Sequence, residues 1–208
     1  MIRVGIDTGG TFTDLVLFDV DTGDLFFHKV GSTPDDPGRA LVRGIAEVID
    51  KAGASGQAIE LLVHGTTVAT NAVLQRRGAR AAFITTAGFR DVLHIQRQDR
   101  PHMYDLQRDQ PPPLVGPDLR IEVRERITAG GEVIKALTDE AIDEAVATVV
   151  NAEPDACAIC FLFAFQNSEH EKRLEAAVKR KLPRVFVSCS SDVQSEFREV
   201  ERFSTTVL

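Results

Sequence analysis

A chain of 208 residues can form one large α/β domain or two smaller lobes, each with a core. Its 43% hydrophobic and 26% charged composition is that of a globular protein, and its net charge of −7 argues against a general nucleic-acid or anionic-membrane surface. That charge still allows a local anion pocket built from backbone N–H groups. No stretch is long and apolar enough to span a bilayer, and the first residues form no signal-peptide core, so a cytoplasmic location is expected. Three cysteines are too few for a disulfide scaffold.

Ile2 to Ile6 and Leu15 to Val20 read as strands joined by a Gly/Thr-rich hairpin, and Leu25 to Val30 supplies a third. Asp36-Pro37 predicts a helix start, Leu41, Ile45, Val48 and Ile49 recur at helical spacing, and Gly53 is the stop. A strand from Ile59 to Val63 then runs into His64-Gly65-Thr66-Thr67 and a helix reaching about Arg77, followed by a strand from Ala81 to Thr85. This β-β-β-α-β-α-β start is the order of a ribonuclease-H-like lobe, the unit of actin-like ATPases. It is assigned to residues 1–90, and a smaller α/β subdomain is expected to follow.

Residues 91–135 are expected to hold a long Arg/Asp/Gln/Pro-rich loop and a hairpin made by Ile121 to Ile127 with Val133-Ile134. Residues 136–208 form the second subdomain. Thr138 caps a helix bearing Ile142, Ala145, Val146 and Val149, and Ala156 to Phe165 reads as a strand buried on both faces. Ser168 and Glu171 have capping-box spacing before a helix through Lys181. Val185 to Ser188 is another strand, and the chain is helical again from Ser195 to Leu208 without a breaker, as expected of an N-terminal portion of a longer protein.

The run Asp7-Thr8-Gly9-Gly10-Thr11-Phe12-Thr13-Asp14 carries the most chemistry. Glycines let backbone N–H groups approach a phosphate, and the hydroxyls of Thr8, Thr11 and Thr13 can add hydrogen bonds. Asp7, at the end of a strand, can orient Mg²⁺ through waters, and Asp14 can hold the turn or face the same ion. No Gly-Lys-Ser/Thr is present and a strand follows the turn, which excludes a Walker A loop and a dinucleotide fingerprint. His64-Gly65-Thr66-Thr67 lies at a strand-to-helix junction. It reads equally as an anion-binding helix start or as a capped helix with a buried histidine.

Cys157-Ala158-Ile159-Cys160 has redox spacing but lies within a strand, where residues three apart face opposite ways. Buried structural cysteines are expected. Arg97, Arg100, Tyr104 and Asp105 form either a recognition surface or a solvated loop, and Glu199 to Thr206 reads as an exposed helix.

Taken in order, several blocks resemble the N-terminal region of the hydantoinase/oxoprolinase family, A-type subunit. They are Gly5 to Asp14, Val63 to Ala72, Thr85 to Asp91, Arg97 with Arg100-Pro101 and Tyr104-Asp105, Glu125-Arg126, His170-Glu171, and Arg198 to Arg202. The resemblance implies an actin-like fold binding ATP·Mg²⁺ in an ATP-dependent hydrolase of cyclic amide C–N bonds. It implies catalytic roles for Asp7 and His64 and metal binding by Asp7 and Asp14. Nucleotide contacts are implied for Asp7, Thr8, Gly9, Gly10, Thr11, Thr13, Gly65, Thr66, Thr67 and Asn71. It further implies a cyclic-amide substrate and a B-type partner subunit, with neither nucleic acid nor membrane as partner. In that family a much larger region follows Ser204 to Leu208 and completes the cleft, so this portion alone is expected to be inactive. The alternatives are an acetone/acetophenone-type carboxylase subunit and a non-catalytic actin-like regulatory ATPase.

Overall fold

The computed structural model describes residues 1–99, 102–105 and 107–208, so Arg100 and Pro101 lie outside the described residues. These residues form two compact units, Met1–Gly78 and Ala79–Leu208.

In the first unit β1 (Ile2–Thr8), β2 (Phe12–Asp19) and β3 (Leu25–Gly31) run antiparallel. Ile2, Val4, Ile6 and Thr8 are buried while Arg3, Gly5 and Asp7 are exposed, the period of a half-buried strand. Helix α1 (Pro37–Lys51) buries Ala40, Gly44 and Val48. Asp36 caps it by accepting from Gly38 N at 3.1 Å, and Pro37 takes the first turn, where no N–H is needed. Gly53, at φ 63°, and the bond from Ala54 N to Ile49 O end the helix at the predicted stop. A Cβ on Gly44 would stand 2.6 Å from Leu15 Cδ1, so the Leu15 side chain packs directly against the backbone of α1 there. Strand β4 (Ile59–Thr66) lies parallel to β1, which gives a mixed sheet of order β3-β2-β1-β4.

Helix α2 (Val68–Leu74) stops before the expected end near Arg77. Arg76 adopts φ 52°, Arg76 N donates to Val73 O at 3.0 Å and Arg77 N to Ala72 O at 2.9 Å. This is the bond pair of a Schellman close, usually signalled by glycine; an arginine there leaves no sequence signal.

The strand predicted to complete the first lobe, β5 (Ala81–Thr86), belongs instead to the second unit. The sheet there has the order β10-β9-β5-β6, all parallel, from β6 (Arg120–Val123), β9 (Ala156–Cys160) and β10 (Phe186–Cys189). The predicted hairpin arm from Ile121 to Ile127 is therefore divided. β6 pairs with β5, and only β7 (Arg126–Ile127) pairs with β8 (Val133–Lys135).

Helices α4 (Asp139–Ala152) and α5 (Glu169–Lys181) supply Val149, Leu174 and Val178 to one core cluster. Thr138 caps α4 as predicted, accepting from Ala141 N at 3.2 Å. A second cluster gathers Phe83, Leu93 and Phe203, from β5, α3 (Val92–Ile95) and α7 (Glu199–Val207). Cys157 lies in the first cluster and Cys160 in the second, so the CxxC spacing straddles the sheet. All three cysteines are free and buried, and burial pushes the Cys157 thiol up to about 11.

Two polar predictions for this unit are corrected. The Ser168/Glu171 capping box does not form: Ser168 makes no side-chain cap, and Glu171 turns into the interior. Its carboxylate accepts from Phe161 N, Ser190 Oγ, Ser191 N and Ser191 Oγ at 2.7–2.9 Å. Likewise α7 is no exposed helix, since Arg202 and Phe203 are fully buried and Arg202 Nη2 donates to Phe161 O at 2.9 Å. Buried charged side chains thus hold both backbone groups of Phe161, and β9 ends at Cys160 rather than at Phe165. The short α6 (Ser190–Val193) carries the two serines that meet Glu171, with helix resuming only at Glu199.

Candidate functional site

The β1–β2 hairpin closes on a bond from Gly9 N to Phe12 O at 2.9 Å. Below it the chain is fixed by hydroxyls. Ser32 Oγ donates to Gly9 O at 2.8 Å, and Thr13 Oγ1, fully buried, donates in turn to Ser32 Oγ at 3.0 Å. The N–H groups of Gly10 and Thr11 have no acceptor among the described residues. Both residues are exposed at the turn, so these donors are free to meet an anion.

Thr8 joins this hairpin to the end of β4. It is buried, its hydroxyl lies 3.0 Å from His64 Nε2, and its carbonyl accepts from Thr66 Oγ1 at 3.3 Å and Thr67 N at 3.1 Å. His64 is exposed, so the buried-histidine reading does not hold. Thr67 makes no side-chain cap to α2; its hydroxyl instead accepts from Asn71 Nδ2 at 3.3 Å. Asn71 Nδ2 also stands 3.4 Å from where a Cβ on Gly10 would sit.

A cleft of about 400 Å³ opens beside the turn. Thr8, Gly9, Gly10, Thr11 and Asn71 line it together with Ser32, Thr33, Val68 and Arg77. Arg77 is the one charged side chain among the lining residues, so residues that carry free N–H groups, hydroxyls and a single cation line the same space. The predicted residues Asp7, Thr13, Asp14, His64, Gly65, Thr66 and Thr67 are not part of this lining. Thr13, His64, Thr66 and Thr67 instead support it through Ser32 and Thr8.

Asp7 and Asp14 face each other across the β1–β2 ladder and are both exposed. They are not equivalent. Lys29 Nζ holds Asp14 Oδ1 at 2.9 Å, whereas Asp7 has no ion-pair partner among the described residues. Sequence reasoning missed Ser32, Thr33 and Arg77. Ser32-Thr33 follows a strand with no motif spacing, and Arg77 lies just past the early close of α2.

Residues 3–182 match the family described as hydantoinase/oxoprolinase N-terminal region. The chain is 35% identical over 212 residues to the caprolactamase subunit alpha of Pseudomonas jessenii, covering 99% of this chain and 30% of that one. It is 30% identical to the 5-oxoprolinase of Saccharomyces cerevisiae over 99% of its length and 19% of the relative's. The crystal structure of the ATP-dependent caprolactamase from P. jessenii superposes with a TM-score of 0.84 at 35% identity, covering 99% of this chain and 30% of that one. A nucleotide-free acetone carboxylase superposes at 0.89 with 26% identity, covering 99% of this chain and 31% of that one. The chain therefore spans less than a third of the length of these proteins.

Proposed function

The chain belongs to the hydantoinase/oxoprolinase family, and from that premise we propose that its first unit holds the phosphates of ATP in an ATP-dependent cyclic-amide hydrolase. The observation that carries this reading is the pair of free N–H groups at Gly10 and Thr11, residues that line the same cleft as Arg77. The β- and γ-phosphates would take those donors and the guanidinium, with the Thr8 and Thr11 hydroxyls completing the cradle. His64 acts as a positioning residue by fixing the Thr8 hydroxyl.

Mg²⁺ fits one carboxylate here rather than two. The ion keeps most of its waters and needs only one or two carboxylates besides phosphate, and Asp7 is available where Asp14 is committed to Lys29. When bound, it would neutralise charge on the phosphates.

Phosphorylation suits an amide. The carbonyl oxygen attacks the γ-phosphorus, an O–P bond forms and ADP leaves. One water adds to the activated carbon and the C–N bond breaks, leaving a free amine and an acyl phosphate, which a second water hydrolyses to carboxylate and phosphate. This chain's residues contribute placement and charge stabilisation. The likeness to acetone carboxylase supports a second reading, in which the same cradle activates a ketone. Relatives named as alpha, beta and gamma subunits support assembly with a partner subunit, and the absence of any helix long and apolar enough to cross a membrane among the described residues accords with the cytoplasmic location we propose.

The test is direct binding. ATP added to the 208-residue chain should broaden its β- and γ-phosphate ³¹P resonances, with an affinity of about 1 mM. Arg77→Gln should weaken binding about 10-fold, the worth of one charge-assisted hydrogen bond. Unchanged affinity in that variant would remove Arg77 from the site, and no broadening at all would remove ATP.

A further inference from the structure

A second cleft, of about 620 Å³, lies within the Ala79–Leu208 unit, and the function proposed for the hairpin makes no use of it. Phe89, Val92, Leu162 and Phe163 give it an apolar wall, and Arg97, Arg126 and Arg198 bring charge to it. It forms where two blocks far apart in sequence converge, joined by the Arg97–Glu201 ion pair. Six residues other than glycine have positive φ among those described, and Gln96, Phe163 and Arg198, at 51°, 55° and 82°, all line this cleft. Strained backbone of this kind persists where packing enforces it, and it gathers at ligand sites.

The charges there are unevenly matched. Glu201 is committed to Arg97, and Glu199 faces the buried Arg202 at 3.8 Å. Arg126 and Arg198 have no ion-pair partner among the described residues, although the charge of Arg198 also acts on Glu201. Arg126 is half-buried, its guanidinium 5.1 Å from the centroid of the Phe89 ring, and Arg198 lies 5.3 Å from that of Phe197. Stacking on aromatic rings orients a guanidinium while leaving its N–H fork open to a carboxylate.

We propose that this cleft binds a small organic monocarboxylate with an apolar body. The carboxylate takes the forks of Arg126 and Arg198, and the apolar body packs on Phe89, Val92, Leu162 and Phe163. Arginine is suited to this task because its planar fork matches a carboxylate with two parallel hydrogen bonds. The lining sets Arg97, Arg126 and Arg198 against Glu199 and Glu201, and in a chain of net charge −7 this local excess of positive charge would draw anions.

Benzoate is the probe, titrated into the 208-residue chain and followed by saturation-transfer NMR. Saturable binding is expected at about 1 mM, with benzyl alcohol, which keeps the ring and lacks the charge, about 10-fold weaker. Arg126→Gln and the more exposed Arg198→Gln should each weaken benzoate about 10-fold while the melting temperature stays within about 2 °C. ATP should not displace benzoate. The proposal is overturned if benzoate does not saturate by about 10 mM, or if benzyl alcohol binds equally well. It is overturned equally if ATP competes, or if both variants keep the wild-type affinity.

Discussion

Replacing Glu171 by alanine should unfold the Ala79–Leu208 unit under conditions where the wild type is folded. The carboxylate is completely buried and accepts four hydrogen bonds, two on each oxygen. Truncation leaves Phe161 N, Ser191 N and two serine hydroxyls without an acceptor, each worth about 1–3 kcal/mol when buried and unpaired. The loss should reach about 4 kcal/mol, against a total of about 5–15 kcal/mol for a typical domain. Urea melts followed by circular dichroism measure it, and a loss below about 1 kcal/mol would show that water replaces the carboxylate.

Glu171→Gln should recover part of the loss, because the amide oxygen can still serve Phe161 N and Ser190 while its NH₂ opposes Ser191 N. It also gives a pH test. Burial outweighs the four donors and raises the Glu171 carboxyl above the usual range. A raised folded-state value means that the native state holds the proton more tightly. The associated stability is complete below the unfolded value of 4.5 and is lost as pH rises through the raised value. Wild type should therefore lose ground to Glu171→Gln as pH increases from 4.5, and the reverse trend would show that the donors dominate.

Gly10→Val should remove ATP binding while leaving the fold alone. Gly10 is exposed and needs no left-handed conformation, so the substitution should shift stability by no more than about 0.5 kcal/mol. Its Cβ, however, would stand 3.4 Å from Asn71 Nδ2, and the branches would fill the mouth of the cleft over the free N–H groups. Blocking two donors to a charged phosphate should lower affinity more than about 100-fold. The same ³¹P titration reads the effect. Retained binding with an intact fold would mean that the nucleotide does not use this turn.

The parts of this fold that were legible were those governed by local rules. The strand at Ile2 to Ile6, the Asp36-Pro37 cap, the Gly53 stop and the Thr138 cap each act within a few residues, and each forms as read, the strand running on to Thr8. The misreadings share a longer range. β5 joins β9 and β6, partners more than thirty residues away, and nothing within its own sequence distinguishes the two sheets. Glu171 has ideal spacing for a local cap, yet Phe161 and Ser190-Ser191 compete for it across the unit. At the site, glycines and threonines marked the hairpin because their chemistry is local. Ser32 and Arg77 reach it through tertiary placement, which leaves no spacing to read.

The straddling cysteines make the two units separately observable. Every thiol of the chain, at Cys157, Cys160 and Cys189, sits in the second unit, and the first has none. Burial suppresses the thiolate at all three, so a disulfide reagent finds almost no nucleophile in the native state. Since these strands are neighbours in one sheet, opening it should release all three thiols in a single kinetic phase. Under native conditions labelling then becomes a clock for the second unit's opening and is blind to the β1–β2 hairpin. Adding ATP should leave its rate unchanged if the hairpin's stability is independent of that sheet, and slow it if ligand energy is transmitted across the chain.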